Sequence, residues 1–312
     1  MILKKYDRKD KDVWDSFVKL SKNSHFIFYR DFMEYHSNKF TDNSLLVYNE
    51  KKELIALLPA NISGDTLYSH QGLTFAGFLI GEKVKTEIML SIFNELILYA
   101  KKNSISKIIY KPIPHIYNTS ISEEDRYALF MVEAKKIRCN VTATVDIEKS
   151  LPYQTLRKRA IKRAINSGVV IEQSFDFAEY WELLDETLLT RHNAKPVHSL
   201  DEIKSLSRIF AENIKLFIAK KANRIVAGAL IFENKHIAHT QYLATSNVGR
   251  EVGALDLLLD NLIRNVYNDK KFFDMGTSNE PNSSLLNSGL IAHKEGFGGR
   301  AVVHEIYEIE VG

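Results

Sequence analysis

Two apolar spacings alternate along this chain. Residues 44–48, 54–58 and 66–69 are short β-prone runs separated by the turn-formers Asn49, Lys51, Gly64 and Asp65, which predicts three strands in an antiparallel meander. Residues 84–101 switch to three- and four-residue spacing, with Met89, Ile92, Phe93, Leu96 and Ala100 on one face, which predicts an amphipathic helix. A strand over residues 107–110 follows. Pro112 and Pro114 then break the chain, a short helix starts near Glu123, and residues 134–147 read as one or two strands.

A second cycle begins at residues 148–152, where Ser150 is placed to cap a helix, Pro152 sits in its first turn and Gly168 stops it. Next come a strand (169–173), a helix (177–191) and another helix announced by the capping box Ser199-Leu200-Asp201-Glu202. Three strands arrive together at 216–220, 224–232 and 237–244. A strongly periodic helix carries Leu255, Leu258, Leu259, Leu262 and Val266 on one face, and a strand (272–275), a helix (285–293) and a final strand (301–309) complete the pattern. The order in this half is β-α-α-β-β-β-α-β-α-β. The first half shares the sequence meander, helix, strand, helix, strand, with no residue-level similarity between the halves.

At 312 residues the chain exceeds what one hydrophobic core usually supports, so two mixed α/β domains are expected, residues 1–148 and 149–312. The 42 basic and 39 acidic residues leave a net charge of +3, too small an excess to argue for nucleic acid or membrane as a partner, so any anion site is local. The single cysteine, Cys139, excludes intrachain disulfides and cysteine metal clusters, and its neighbours Ile137 and Val141 predict a buried strand thiol. The N-terminus lacks the apolar stretch of a signal peptide and no run is long enough to span a bilayer, so a cytoplasmic protein is expected. Walker, Rossmann and zinc-ligand spacings are missing, which argues against the corresponding kinase, dehydrogenase and zinc hydrolase classes and implies no metal.

The strand and helix order of the second half resembles the GCN5-related N-acetyltransferase (GNAT) fold. Four segments sharpen the resemblance: 191–199 (RHNAKPVHS), 239–244 (HTQYLA), 273–278 (FDMGTS) and 293–299 (HKEGFGG). With residues 69–77 (SHQGLTFAG) and 110–114 (YKPIP) of the first half, they resemble bacterial FemAB-like and tandem GNAT acyltransferases over nearly the whole chain. The resemblance implies two tandem GNAT-like domains and an enzyme that moves an acyl group, in most of the superfamily from acetyl-CoA or a longer acyl-CoA, to an amine or hydroxyl. A small-molecule or glycan-precursor acceptor, such as an envelope-polysaccharide precursor, is also implied. The FemABX branch instead uses aminoacyl-tRNA to extend a peptidoglycan precursor, the one reading in which a nucleic acid is a partner. A catalytically silent binding protein of the same fold is a third.

In that fold the donor pyrophosphate rests on the loop and helix start after the fourth strand, where backbone N–H groups favour an anion. Here this is Thr245, Ser246, Gly249, Arg250 and Gly253, with Leu255 where the usual pattern has Gly or Ala. An amine acceptor needs a base and convergent donors. His239 and Asp274, at neighbouring strand ends, are the candidate bases, and Tyr242 is the candidate proton donor to the leaving thiolate; strict alternation would set His239 and Gln241 on one strand face and Tyr242 on the other. Arg191, His192 and His198, with His70, Gln71 and Lys294, are candidates for the acceptor side. Five cations in residues 157–163 read as a solvated helix face or a phosphate-binding one.

Overall fold

Strand β1 (Ile2–Lys5) leads into helix α1 (Lys11–Leu20), which buries Trp14 and Val18, then a short α2 (Arg30–Met33) and β2 (Thr41–Asp42). Strands β3 (Leu45–Tyr48) and β4 (Leu54–Leu58) pair antiparallel, and there the expected single meander ends. Pro59, which has no N–H to give a ladder, follows β4, and the chain enters another sheet. In that sheet β5 (Asn61–Ser63) pairs with β6 (Thr66–Tyr68) and with β2. Strand β7 (Leu79–Ile80) returns to β4, completing the order β1-β3-β4-β7. Helix α3 (Thr86–Lys102) precedes β8 (Lys107–Tyr110), which runs parallel to β6. The five apolar residues anticipated for one face of α3 are all fully buried, in a cluster with Leu45, Val47, Phe78 and Ile108. Each of the four larger side chains, Met89, Ile92, Phe93 and Leu96, contributes about 1.5–3 kcal/mol by leaving water, so this face fixes the helix on the sheet.

Beyond α4 (Glu124–Met131), residues 134–147 form one long strand, β9 (Lys135–Asp146). Its burial changes midway: Lys135, Lys136, Ile137 and Cys139 are exposed, whereas Thr142, Ala143, Thr144 and Val145 are buried. Cys139 is therefore an exposed thiol and not the buried one that its neighbours implied. The same-face neighbour Ile137 is 45% exposed, because no apolar layer covers this part of the strand.

The rest is α5 (Thr155–Asn166), β10 (Val170–Ser174), α6 (Phe177–His192), α7 (Leu200–Ile209), β11 (Ile214–Lys221), β12 (Arg224–Glu233), β13 (Ile237–Thr245), α8 (Asn247–Val252), α9 (Ala254–Asn261), β14 (Phe272–Thr277), α10 (Ser288–Glu295) and β15 (Arg300–Glu310). This computed structural model describes every residue except Asn193, Pro281 and Asn282, and every side chain except those of Arg191 and His192. The chain divides into two compact units, Met1–Asn140 with Val303–Gly312, and Val141–Val302. Strands β9 and β15 each contribute residues to both. Among the described residues no helix is long and apolar enough to cross a membrane.

In the second unit β10, β11, β12 and β13 pair antiparallel in succession, β13 and β14 pair parallel, and β14 pairs antiparallel with the buried part of β9. The capping box of α7 forms, Ser199 Oγ accepting from Glu202 N and Glu202 from Ser199 N. The periodic helix is interrupted at its start: Gly253, in the left-handed region at φ 81°, separates α8 from α9, and Leu258, Leu259 and Leu262 enter the core. Its last turn widens, with Tyr267 N donating to Leu262 O.

Gly253 and Gly64 both have positive φ, but a Cβ at Gly253 would stand 2.6 Å from Ala160 O in α5, whereas one at Gly64 meets nothing within 4 Å. Gly64→Ala should therefore cost about 1 kcal/mol, the backbone contribution alone, and Gly253→Ala about 1–3 kcal/mol more. Urea unfolding midpoints of the two variants against the parent check the difference.

Candidate functional site

Asp274 is the most enclosed charged residue of β14, with no solvent exposure. Its Oδ1 accepts from the hydroxyls of Thr142 and Thr144 on β9, the latter at 3.0 Å, and from Gly276 N at 3.3 Å. Its Oδ2 lies 2.7 Å from His239 Nδ1. A buried carboxylate surrounded by donors is the arrangement that keeps an ionised acid inside a protein. Because the carboxylate accepts, His239 carries its proton on Nδ1, and Nε2 is the basic nitrogen.

The sheet explains this meeting. Strands β13 and β14 pair over only three positions, the last of them His239 with Asp274, and then part. On the other side β13 carries a bulge: Leu230 faces Tyr242 and Ile231 faces Thr240, so Gln241 is the extra residue. The bulge breaks the alternation expected from His239 through Tyr242. Gly276, at φ 73°, turns the chain just past Asp274, and a Cβ there would point at His239 Cε1 and the Thr240 carbonyl, both 3.5 Å away. The hydroxyls of Thr240 and Ser278 are buried and have no hydrogen-bond partner among the described residues. Lys294 of α10, 4% exposed, donates to the carbonyls of Gly276 (2.7 Å) and Thr277 (2.8 Å). Burial lowers its pKa to about 8, against the opposing pull of Asp274.

Tyr242 goes elsewhere. Its Oη accepts from Val197 N (3.1 Å) and His198 N (3.4 Å) and lies 2.8 Å from His198 Nδ1. It ties β13 to the connection between α6 and α7, which also places the buried His198. Burial raises its pKa, so the phenol keeps its proton at neutral pH. Arg191 and His192 close α6, and their side chains lie outside the described residues.

The segment proposed from sequence for the donor is largely occupied by its own contacts. Ser246 Oγ accepts from Gly249 N at 3.0 Å, and Thr245 Oγ1 and Ser246 Oγ both donate to Val226 O. A side chain at Gly249 would overlap Val226 O, so this glycine serves packing on β12. Arg250 is exposed and donates to Asn247 Oδ1 at 2.6 Å. Ser246, Asn247 and Arg250 nevertheless line a cavity of about 210 Å³ with Glu186 and Thr187 of α6. His70 and Gln71 belong to the first unit; Gln71 exchanges two hydrogen bonds with Asn61. Among the described residues no three His, Cys, Asp or Glu side chains converge as metal ligands do.

Thr142 and Thr144 are not among the candidates read from sequence, and Thr240, Gly276 and Ser278 fall in the segments 239–244 and 273–278 that carry the resemblance but have no role assigned there. Thr142 and Thr144 carried a signal, since they alternate with Ala143 and Val145 and so share one face.

No family model matches the sequence. No curated protein matches it either. Solved structures do match. FemX superposes with a TM-score of 0.68 over 99% of this chain and 97% of its own, at 12% identity. L-PGS from Bacillus licheniformis gives 0.63 over 98% and 93% at 14% identity. A tandem GNAT protein from the clavulanic acid biosynthesis pathway gives 0.55 over 100% and 98% at 10% identity. The chain has the FemAB-like, tandem GNAT fold. At these identities the likeness is one of architecture, and it spans the chain.

Lys294 makes stability depend on pH. Its folded pKa of about 8 lies below the unfolded value near 10.5, so between these values the unfolded state holds a proton that the folded state has released. Stability gained from this residue therefore rises with pH across that window, by up to about 3 kcal/mol. Lys111 of the first unit, lowered to about 7, acts in the same direction. Lys294→Met should flatten the rise without abolishing it, as measured by urea unfolding at about pH 8 and about pH 9.5.

Proposed function

We propose that the second unit transfers an acyl group from a CoA thioester, most simply acetyl-CoA, to an amine or hydroxyl of a small molecule or glycan precursor, with His239 as general base. The reading rests on one observation, the 2.7 Å contact between His239 Nδ1 and the fully buried Asp274 at the point where β13 and β14 part. His239 Nε2 takes the proton of the attacking amine or hydroxyl as that atom bonds to the thioester carbonyl carbon. The Asp274 charge holds the ring in the tautomer required and stabilises the imidazolium that results. When the C–S bond breaks, the imidazolium supplies the proton taken up by the thiolate. Tyr242 holds the 197–198 segment against β13. Thr245, Ser246 and Arg250 would border the donor in the 210 Å³ cavity.

A second reading, an aminoacyl-tRNA donor, is favoured by a different observation. The Gly249 amide, which a pyrophosphate would use, is already capped by Ser246, while Lys158, Arg159, Lys162 and Arg163 leave α5 with an exposed cationic face. Such a face suits an extended phosphate backbone. The third reading, a silent binding protein, predicts no turnover with either donor.

Calorimetric titration with CoA and acetyl-CoA separates them. Saturable binding that Arg250→Ala weakens supports the thioester donor; no binding at millimolar ligand, with salt-sensitive binding of aminoacylated tRNA that is lost when the four α5 cations become Gln, supports the second. In either case His239→Ala and Asp274→Asn should each lower kcat by about 10²–10⁴-fold with folding intact. Unchanged turnover in both variants would remove His239 from the chemistry.

A further inference from the structure

The first unit holds a polar cluster that the acyl-transfer reading does not use. A cavity of about 280 Å³ lies between the segment that follows β1, the stretch from α2 to β2, and the turn after β6. His70 lines it, 3% exposed, and its Nδ1 has no hydrogen-bond partner among the described residues. This imidazole is placed there at a backbone cost. His70 has φ 43°, in the left-handed region, which costs a non-glycine residue of order 1 kcal/mol. Its carbonyl accepts from the half-buried Lys111 Nζ at 2.8 Å, its N–H donates to Tyr68 O at 2.7 Å, and Asn61 holds Gln71 beside it. Local strain maintained by surrounding bonds is a mark of functional sites.

The neighbouring positions fit the same purpose. His36 stands 5.3 Å from His70, ring to ring, and Phe40 meets both rings edge-on at 5.0 and 5.5 Å. Gly72 makes room for this pair, because a Cβ there would overlap His36 Nε2.

The carboxylates at the cavity wall are already committed. Glu34 and Asp42 pair with the buried Arg30, Glu34 also accepts from Tyr6, and Asp7 accepts from Lys9 N. Arg8 lines the same cavity and is exposed, and among the described residues no carboxylate pairs with it. What the walls offer a ligand is therefore an unpaired guanidinium and an imidazole beside an aromatic ring. Burial pushes the His70 pKa down to about 3, and the charges that His36, Lys111 and Arg30 can carry push the same way. Asp7, Glu34 and Asp42 share the cavity wall, but among the described residues none of them hydrogen-bonds to His70 Nδ1.

We propose that this cavity binds a small organic anion, a phosphate- or carboxylate-bearing compound whose oxygens accept from His70 and Arg8 while its carbon framework packs on Phe40. The site lies wholly in the first unit and does not depend on the acyl-transfer reading.

The test is a titration of the full chain, with ¹⁵N-labelled histidine, by inorganic phosphate, phenyl phosphate and benzoate at constant ionic strength. The expected result is a saturable shift of the His70 ring resonances, assigned by their loss in His70→Asn, toward the imidazolium form. Asn is chosen because it tolerates positive φ. Arg8→Gln, a change at an exposed residue, should weaken the binding roughly tenfold by removing a charge-assisted hydrogen bond. A response to the two phosphates alone identifies a phosphate ligand, and one to benzoate alone a carboxylate. No saturable shift with any of the three, a shift matched by chloride, or binding that neither variant weakens would overturn the proposal. None of these readouts involves acyl transfer, so the outcome is separate from that of the donor titration.

Discussion

The second unit is organised around the desolvation of one carboxylate. An ionised Asp274 at zero exposure is tolerable only if nearly every acceptor site on it is met. That requirement reaches into three strands. Strand β9 must present two hydroxyls at alternate positions, β14 must turn at Gly276 so that an amide comes back to the carboxylate, and β13 must bring His239 level with it before the strands separate. Lys294 then braces the carbonyls of the same turn from α10. Removing any one donor would leave a buried charge short of a partner, so the register of the sheet and the integrity of the candidate site are a single constraint.

The same logic is used differently in the first unit. There the buried charge is Arg30, whose guanidinium lies 3.6 Å from the centroid of the Tyr6 ring and is paired with Glu34 and Asp42. The carboxylates that neutralise it are consumed by doing so, and among the described residues none of them hydrogen-bonds to His70 Nδ1. In the second unit a carboxylate is provided for the histidine; in the first it is withheld. Two histidine environments of opposite character thus arise on one chain.

Much of the scaffold was legible in the sequence because periodicity and punctuation agreed. Residues 107–110 and 54–58 form strands with the expected ends, α3 buries the five anticipated residues, and the Ser199 capping box starts α7. The first 43 residues gave little, since α1 is short and charged and the stretch after it is built from single turns whose burial comes from tertiary contact. Burial of Cys139 was misjudged because periodicity says which residues share a face, not whether anything covers it. The nearness of His239 and Asp274 followed from strand order. The part that failed to show was the bulge at Gln241, a one-residue shift without a composition signal, which sends Tyr242 to His198. Thr142 and Thr144 were readable as a polar face, but only the pairing of β9 with β14 gives that face an object.

The division of β15 between the units has a bearing on the order in which the protein is made. The second unit is one uninterrupted stretch, 141–302, whereas the first is completed by residues 303–312, whose strand pairs with β8 through Tyr307 to Tyr110 and the positions that follow. On a ribosome the first unit is begun first and finished last. Its β8 edge, with Lys107, Ile108, Ile109 and Tyr110, must wait through the synthesis of the whole second unit before its antiparallel partner emerges. Residues 303–312 therefore act as a latch on a unit begun long before them, and folding of the first unit waits for synthesis of the second.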